Sequence, residues 1–234
     1  RYFLSTNPDA IAEHISIFKR FHNAPYIMTA RQDNARHYTE IIVCTHDVHG
    51  LFSTIAGVMT ANCVDILGAQ INTLKNGVIL DVLQVVTQTG ALLTDESKLK
   101  RIEENLSDCI TGKINIGSLA GKRRPSILDN KPKPRVRTSV QIDNEVSDAC
   151  TVIDIHAQNR IGLLYDITST LTMLGLYIYI AKISTKGDEA ADIFYVKDIF
   201  GQKIYYNERL KEIEERLKNA VLGVKEGQDA AGCQ

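Results

Sequence analysis

Gly50-Leu51-Phe52-Ser53-Thr54-Ile55 and Gly162-Leu163-Leu164-Tyr165-Asp166-Ile167 are one phrase written twice, 112 positions apart. The same offset pairs Val43 with Ile155, Met59 with Leu171 and Ile66 with Ile178. It also pairs Ala69-Gln70-Ile71 with Ala181-Lys182-Ile183. After a one-residue slip in a turn, Asp81-Val82-Leu83-Gln84-Val85 meets Asp192-Ile193-Phe194-Tyr195-Val196, and upstream Asp33-Asn34 answers Asp143-Asn144. A repeat constrains a fold more than any local propensity does. This one says that the chain holds two copies of one domain.

In the second copy, residues 135–142 and 151–157 alternate as strands, separated by the turn chemistry of Asp143-Asn144. Leu163, Ile167, Leu171 and Leu174 recur at helical spacing, and Gly175 is a natural C-terminal stop. Residues 177–184 and 190–197 are strands turned by Gly187-Asp188, and a last helix from Asn207 carries Leu210, Ile213, Leu217 and Val221. The first copy repeats the order. Strands fall at 26–31 and 38–45, a helix at 51–61, and a hairpin at 66–74 and 78–87 turned by Asn76-Gly77. Its closing helix has the stripe Leu99, Ile102, Leu106 and Ile110.

The unit is therefore ββαββα. A ferredoxin-like unit runs βαββαβ, with its last strand beside its first. Here the leading strand is expected to hairpin onto the next and fill that edge, giving a permuted ferredoxin-like α+β fold with antiparallel sheets and helices on one face. Residues 26–116 and 135–222 form the two domains. Between them, 117–134 reads as a basic linker with Pro125, Pro132 and Pro134, either an extended tether or a contact for a phosphate or an acidic partner. Residues 1–25 form a leading segment whose helix is capped at Asn7-Pro8 and turns Ile11, Ile15 and Phe18 one way. Residues 223–234, rich in Gly, Ala and Gln, read as a flexible tail.

Composition narrows the function. Of 234 residues, 44% are hydrophobic and 24% charged, the balance of a globular chain. No run approaches the roughly 18–20 apolar residues that span a bilayer. The net charge of −1 gives no general pull towards nucleic acid or membrane. Cys44, Cys63, Cys109, Cys150 and Cys233 show no CxxC spacing, which favours inert thiols in a cytoplasmic protein over zinc or redox chemistry. The start at Arg1 reads as an internal cut, so a fragment of a longer chain is expected. No phosphate-binding loop, nucleophile elbow or metal cluster is present, and no catalytic residue is assigned.

The repeated loop carries the chemistry. Asp47-Val48-His49-Gly50-Leu51 and Asn159-Arg160-Ile161-Gly162-Leu163 each lead from a strand into a helix. Uncapped N–H groups and the positive end of the helix dipole suit an anion there, and glycine permits close approach. Asp47 or Asn159 can accept a hydrogen bond from an ammonium group. Such a loop suits a free amino acid; equally, glycine simply permits the turn.

Loop, helix and hairpin together resemble the ACT domain, a regulatory module that binds amino acids and whose usual loop is Asp-Arg-Pro-Gly-Leu. Both loops here depart from that motif and keep its glycine. Arg1-Tyr2-Phe3-Leu4-Ser5, residues 45–55, Tyr165-Asp166-Ile167-Thr168, residues 181–187 and residues 192–198 are similar to the C-terminal region of the family of bifunctional PII uridylyltransferase/uridylyl-removing enzymes, a match over about residues 1–221. The resemblance implies tandem ACT domains that sense glutamine for a nucleotidyltransferase and a hydrolase, both absent here. It implies the PII signalling protein as partner through the whole enzyme, and possible homo-oligomers through ACT sheets. It implies no cofactor in this chain, although the whole enzyme resembles a magnesium-dependent one. Glutamine would contact Asn159, Arg160, Ile161, Gly162 and Leu163, then Asp47, His49, Gly50 and Leu51. Ala181 and Lys182, with Ile180 and Gly68-Ala69-Gln70, would close the pocket from the side. The alternatives are a stand-alone amino-acid-binding or dimerising ACT tandem from another regulated enzyme, and an RNA-binding pair. Ile193-Phe194-Tyr195-Val196 lacks the stacking pattern that the RNA-binding reading needs.

Overall fold

The computed structural model describes residues 8–22, 24–71, 73–74, 76–121 and 136–224. The first repeat contributes β1 (Tyr26–Asp33), β2 (Tyr38–His46), α2 (Leu51–Ala61), β3 (Val64–Gln70), β4 (Val78–Thr87) and α3 (Glu96–Ile110), preceded by α1 (Pro8–Phe21). A short α4 (Ile116–Ala120) follows. The second contributes β5 (Ser139–Asp143), β6 (Thr151–Gln158), α5 (Leu163–Met173), β7 (Tyr177–Lys186), β8 (Glu189–Lys197) and α6 (Asn207–Leu222).

All eight strands belong to one antiparallel sheet, in the order β1-β2-β4-β3-β7-β8-β6-β5. The leading strand of each repeat does take the outer edge: Tyr26 pairs with Thr45 in one half and Ser139 with His156 in the other. The repeats meet edge to edge through β3 and β7, where Gly68 faces Ser184, Ala69 faces Ile183 and Gln70 faces Lys182. An edge strand is a row of unmet donors and acceptors. Each repeat here satisfies the other's. Both seam strands carry an irregularity at the equivalent place, Ile66/Gly68 and Ile178/Ile180. At the first of these, a Cβ on Gly68 would lie 2.8 Å from the Gln84 amide oxygen, so glycine admits the close approach.

On one face, α2 and α5 lie side by side over the seam, flanked by α3 and α6. Strand residues Ile41, Val43, Leu83, Ile153, Ile155 and Phe194 and helix residues Ile55, Met59, Ile167 and Leu171 join a single core across both repeats. Burying apolar side chains at roughly 1.5–3 kcal/mol each is what couples the halves. Gly57 of α2 is part of this fit: a Cβ there would lie 2.5 Å from Ile116 and 2.9 Å from Tyr165 of α5.

Three expectations need correction. Helices do not all lie on one face, because α1 covers the other side of β1, β2 and β4, on Ile27, Ile42, Cys44, Val78 and Leu80. Its buried residues are His14, Ile17 and Phe21, while Ile15 is 50% exposed. The expected stripe Ile11-Ile15-Phe18 is therefore off-centre: Phe18 packs half-buried against this cluster, while Ile15 faces solvent. Counting only apolar residues hid this, since His14 completes a helical stripe with Ile17 and Phe21. Second, the linker expected from 117 begins inside α4, whose N-cap Asn115 accepts N–H bonds from Gly117 and Ser118. Third, the strand expected from 135 starts at Ser139; Val136 to Thr138 are not in a strand. Asn7, the rest of the basic linker from 122 to 135, and the tail beyond 224 lie outside the described residues.

Candidate functional site

The two repeated loops are built alike. Each leaves its strand pinned to the neighbouring hairpin turn: the Asp47 N–H donates to the Gly77 carbonyl and the Asn159 N–H to that of Asp188, both at 2.8 Å. Each then turns through a glycine of positive φ, 79° at Gly50 and 91° at Gly162. That left-handed conformation costs other residues about 1–2 kcal/mol. Neither glycine is accompanied by a side-chain cap. The first-turn N–H groups of α2 and α5 are thus anion donors of the kind a carboxylate meets.

Each loop faces the other repeat. The first loop, with Phe52, Ser53, Ile79 and Asp81, closes against Thr172 at the end of α5 and Tyr177, Ile178 and Tyr179 at the start of β7. The cavity measures about 180 Å³. His49 bridges the repeats: its Nε2 lies 3.1 Å from the Thr172 carbonyl, which can only accept, and its ring sits 4.3 Å from that of Tyr177. At the rim, partial burial raises the Asp47 pKa, against the Val48 N–H bond and nearby His49, which lower it. Asp81 is 1% exposed.

The second loop makes the mirrored arrangement. Asn159, Arg160, Gly162, Leu163 and Asp192 face Ala56 and Thr60 of α2 and Val64, Asp65 and Ile66 of β3. This space is only about 20 Å³, room for about one water. One side chain bridges it and another is anchored within the second repeat. The Asn159 amide donates to Asp65 at 3.2 Å, and Arg160 pairs with Asp166 at 2.6 Å and donates to the Ala220 carbonyl at 3.0 Å. Asp192 accepts the Ser184 N–H. Burial, with the charges of Asp154 and Asp65, pushes its pKa up to about 7 despite that bond.

Of the residues expected at the site, Asp47, His49, Gly50 and Leu51 line the larger cavity, and Asn159, Arg160, Gly162 and Leu163 the smaller. Ile161 lines neither. Ala181 is 1% exposed within the core. Lys182 lies on the opposite sheet face, above the Tyr195 ring and in a groove shared with Gly68, Ala69 and Gln70. Residues one strand turn earlier close the cavities instead, Tyr177 to Tyr179 and Val64 to Ile66, because the antiparallel seam slides each loop towards the start of the other repeat's edge strand. Thr172, Tyr177, Asp81 and Asp192 were not among the expected residues. The repeat held a signal for the last two, a carboxylate recurring inside two apolar strands. Among the described residues no group of His, Cys, Asp and Glu is placed to hold a metal ion, and no helix is long and apolar enough to cross a membrane.

Comparison with known proteins agrees with this architecture. The family model of the ACR family N-terminal ACT domain matches residues 146–223. The bifunctional uridylyltransferase/uridylyl-removing enzyme of Rhodospirillum rubrum is 33% identical over 222 residues, 94% of this chain and 24% of that enzyme. The enzyme of the same name from Azospirillum brasilense is 38% identical over 198 residues, 84% of this chain and 21% of that enzyme. That of Zymomonas mobilis is 32% identical over 218 residues, 92% of this chain and 24% of that enzyme. The chain spans about a quarter of the length of these curated relatives. Repeat, fold and relatives together make this a chain of ACT domains, homologous along nearly its whole length to a segment of the bifunctional uridylyltransferase/uridylyl-removing enzymes.

Proposed function

We propose that the chain is the regulatory region of an enzyme that uridylylates the PII signalling protein and removes the modification, and that its two ACT domains, residues 26–116 and 135–222, sense glutamine. Catalysis on PII belongs to parts of that enzyme outside this chain. The observation that carries the reading is the cavity of about 180 Å³ at the first loop, where an uncapped helix start and a carboxylate meet the second repeat. An α-amino acid offers the complementary groups: a carboxylate for the N–H donors and an ammonium for Asp47. The smaller space at the second loop, already crossed by the Asn159–Asp65 hydrogen bond, serves as a clasp between repeats. One ligand per chain follows.

Because the cavity is walled by both repeats, a bound ligand joins the first loop to Thr172 and Tyr177. It stabilises the arrangement in which they are close and shifts the equilibrium of any state that needs them apart. Only this difference in affinity between arrangements can carry a signal to a distant catalytic centre. Calorimetric titration of the chain with glutamine, using glutamate and asparagine as controls, tests the reading. Saturable glutamine binding at one site per chain is expected. Absence of binding for all three would remove the sensor from these residues.

A further inference from the structure

Asp81 stands where a strand facing a helix layer ordinarily carries an apolar residue. Its β4 neighbours on that face, Ile79 and Leu83, are 1% and 0% exposed, and its register partner Val43 is fully buried. Holding a carboxylate in such surroundings costs several kcal/mol relative to an apolar side chain. Asp192 occupies the equivalent place in the second repeat, where it accepts the Ser184 N–H and faces a space with room for about one water. Asp81 instead faces the larger cavity.

The charge inventory of that cavity is one-sided. Its described lining residues include two carboxylates, Asp47 and Asp81, and no lysine or arginine. The sole ring base is His49, whose Nε2–H is already donated to the Thr172 carbonyl. A ligand carboxylate has one favourable place, the first turn of α2 at Phe52 and Ser53. A second carboxylate on the same ligand would find hydroxyls such as those of Thr172 and Tyr177 beside the two carboxyls, but no described lysine or arginine.

We propose that Asp81 is the residue that sets ligand specificity: it accepts a hydrogen bond from the far end of the ligand side chain. The cavity then takes α-amino acids ending in an amide or an amine and rejects those ending in a carboxylate. This deepens the glutamine reading and rests on it. Glutamine and glutamate have nearly the same shape and differ in whether the terminal group can donate, so a carboxyl oxygen that accepts separates them by hydrogen bonding.

The test is calorimetry of the chain against a side-chain charge series: glutamate, glutamine and 2,4-diaminobutyrate, repeated with Asp81→Asn. For the unaltered chain we expect glutamate to bind at least ~100-fold more weakly than glutamine, and 2,4-diaminobutyrate at least as tightly as glutamine. In Asp81→Asn the glutamine-to-glutamate ratio should fall below ~10, and the advantage of the amine should vanish. An Asp81→Asn chain that melts cooperatively and keeps the original ratio overturns the proposal while leaving the glutamine site standing. If that variant fails to fold, the series on the unaltered chain decides, and glutamate binding within ~3-fold of glutamine refutes the role of Asp81. Failure of every amino acid to bind sinks the ligand reading itself, and this inference with it.

Discussion

Replacing Asp192 by Asn should stabilise the protein, and increasingly so as pH rises. The side chain is 2% exposed, and its carboxyl is held near pKa 7 instead of 3.8 by burial and by the charges of Asp154 and Asp65. At about 1.4 kcal/mol per pKa unit, ionising it in the folded state costs about 4 kcal/mol. The sign follows from proton binding. Between pH ~4 and ~7 the folded chain holds a proton that the unfolded chain has lost, so stability falls as pH rises through that window and levels above it. Asparagine keeps an oxygen for the Ser184 N–H and removes the charge. Urea melts of both chains at pH 5, 6, 7 and 8 give the difference in unfolding free energy, in which the other titrating groups largely cancel. That difference should grow in favour of Asp192→Asn by about 2–3 kcal/mol from pH 5 to pH 8, most of it below pH 7. A difference that stays constant across the range would refute the assignment of a protonatable carboxyl to this clasp.

Other consequences are as direct. Gly50→Ala should cost about 2 kcal/mol in a urea melt, because the residue has φ of 79° and its Cβ would lie 2.8 Å from Thr172 Cγ2; adding Thr172→Ser removes that methyl and should recover part of the loss. Gly57→Ala should lower the melting temperature by several degrees although alanine is the better helix former, since the new methyl meets Ile116 and Tyr165; the overpacking costs about 1–3 kcal/mol, against about 1 kcal/mol gained in propensity. Cys44 is fully buried and its thiol is pushed up to about 11 by burial and by Asp81, so it should resist iodoacetamide at pH 8 until denaturant is added, as peptide mapping by mass spectrometry would show.

The fold was largely legible because a repeat carries its own check. Strand alternation, helical spacing and the Asn76-Gly77 turn each predict an element, and the same element recurs 112 positions on. The loops were legible for the same reason, with a glycine at Gly50 and Gly162 where the backbone must adopt positive φ. The side of the sheet that α1 covers was not, since period alone gives a stripe and not the surface it meets. His14, a buried polar residue, misdirected even the stripe.

What the sequence determined by itself is the unit: ββαββα, twice, with a glycine-containing strand-to-helix loop in each copy. Local chemistry dictates those features, and each needs only neighbours along the chain. What tertiary structure alone decided is the pairing of β3 with β7, and with it both cavities. That pairing depends on backbone groups that every sequence possesses, so no side-chain pattern announces its register. The register nonetheless brings His49 to Thr172 and Asn159 to Asp65, leaving one loop with room and the other clasped. The inequality between two nearly identical loops is therefore a property of the seam, written in contacts between residues about 100 positions apart.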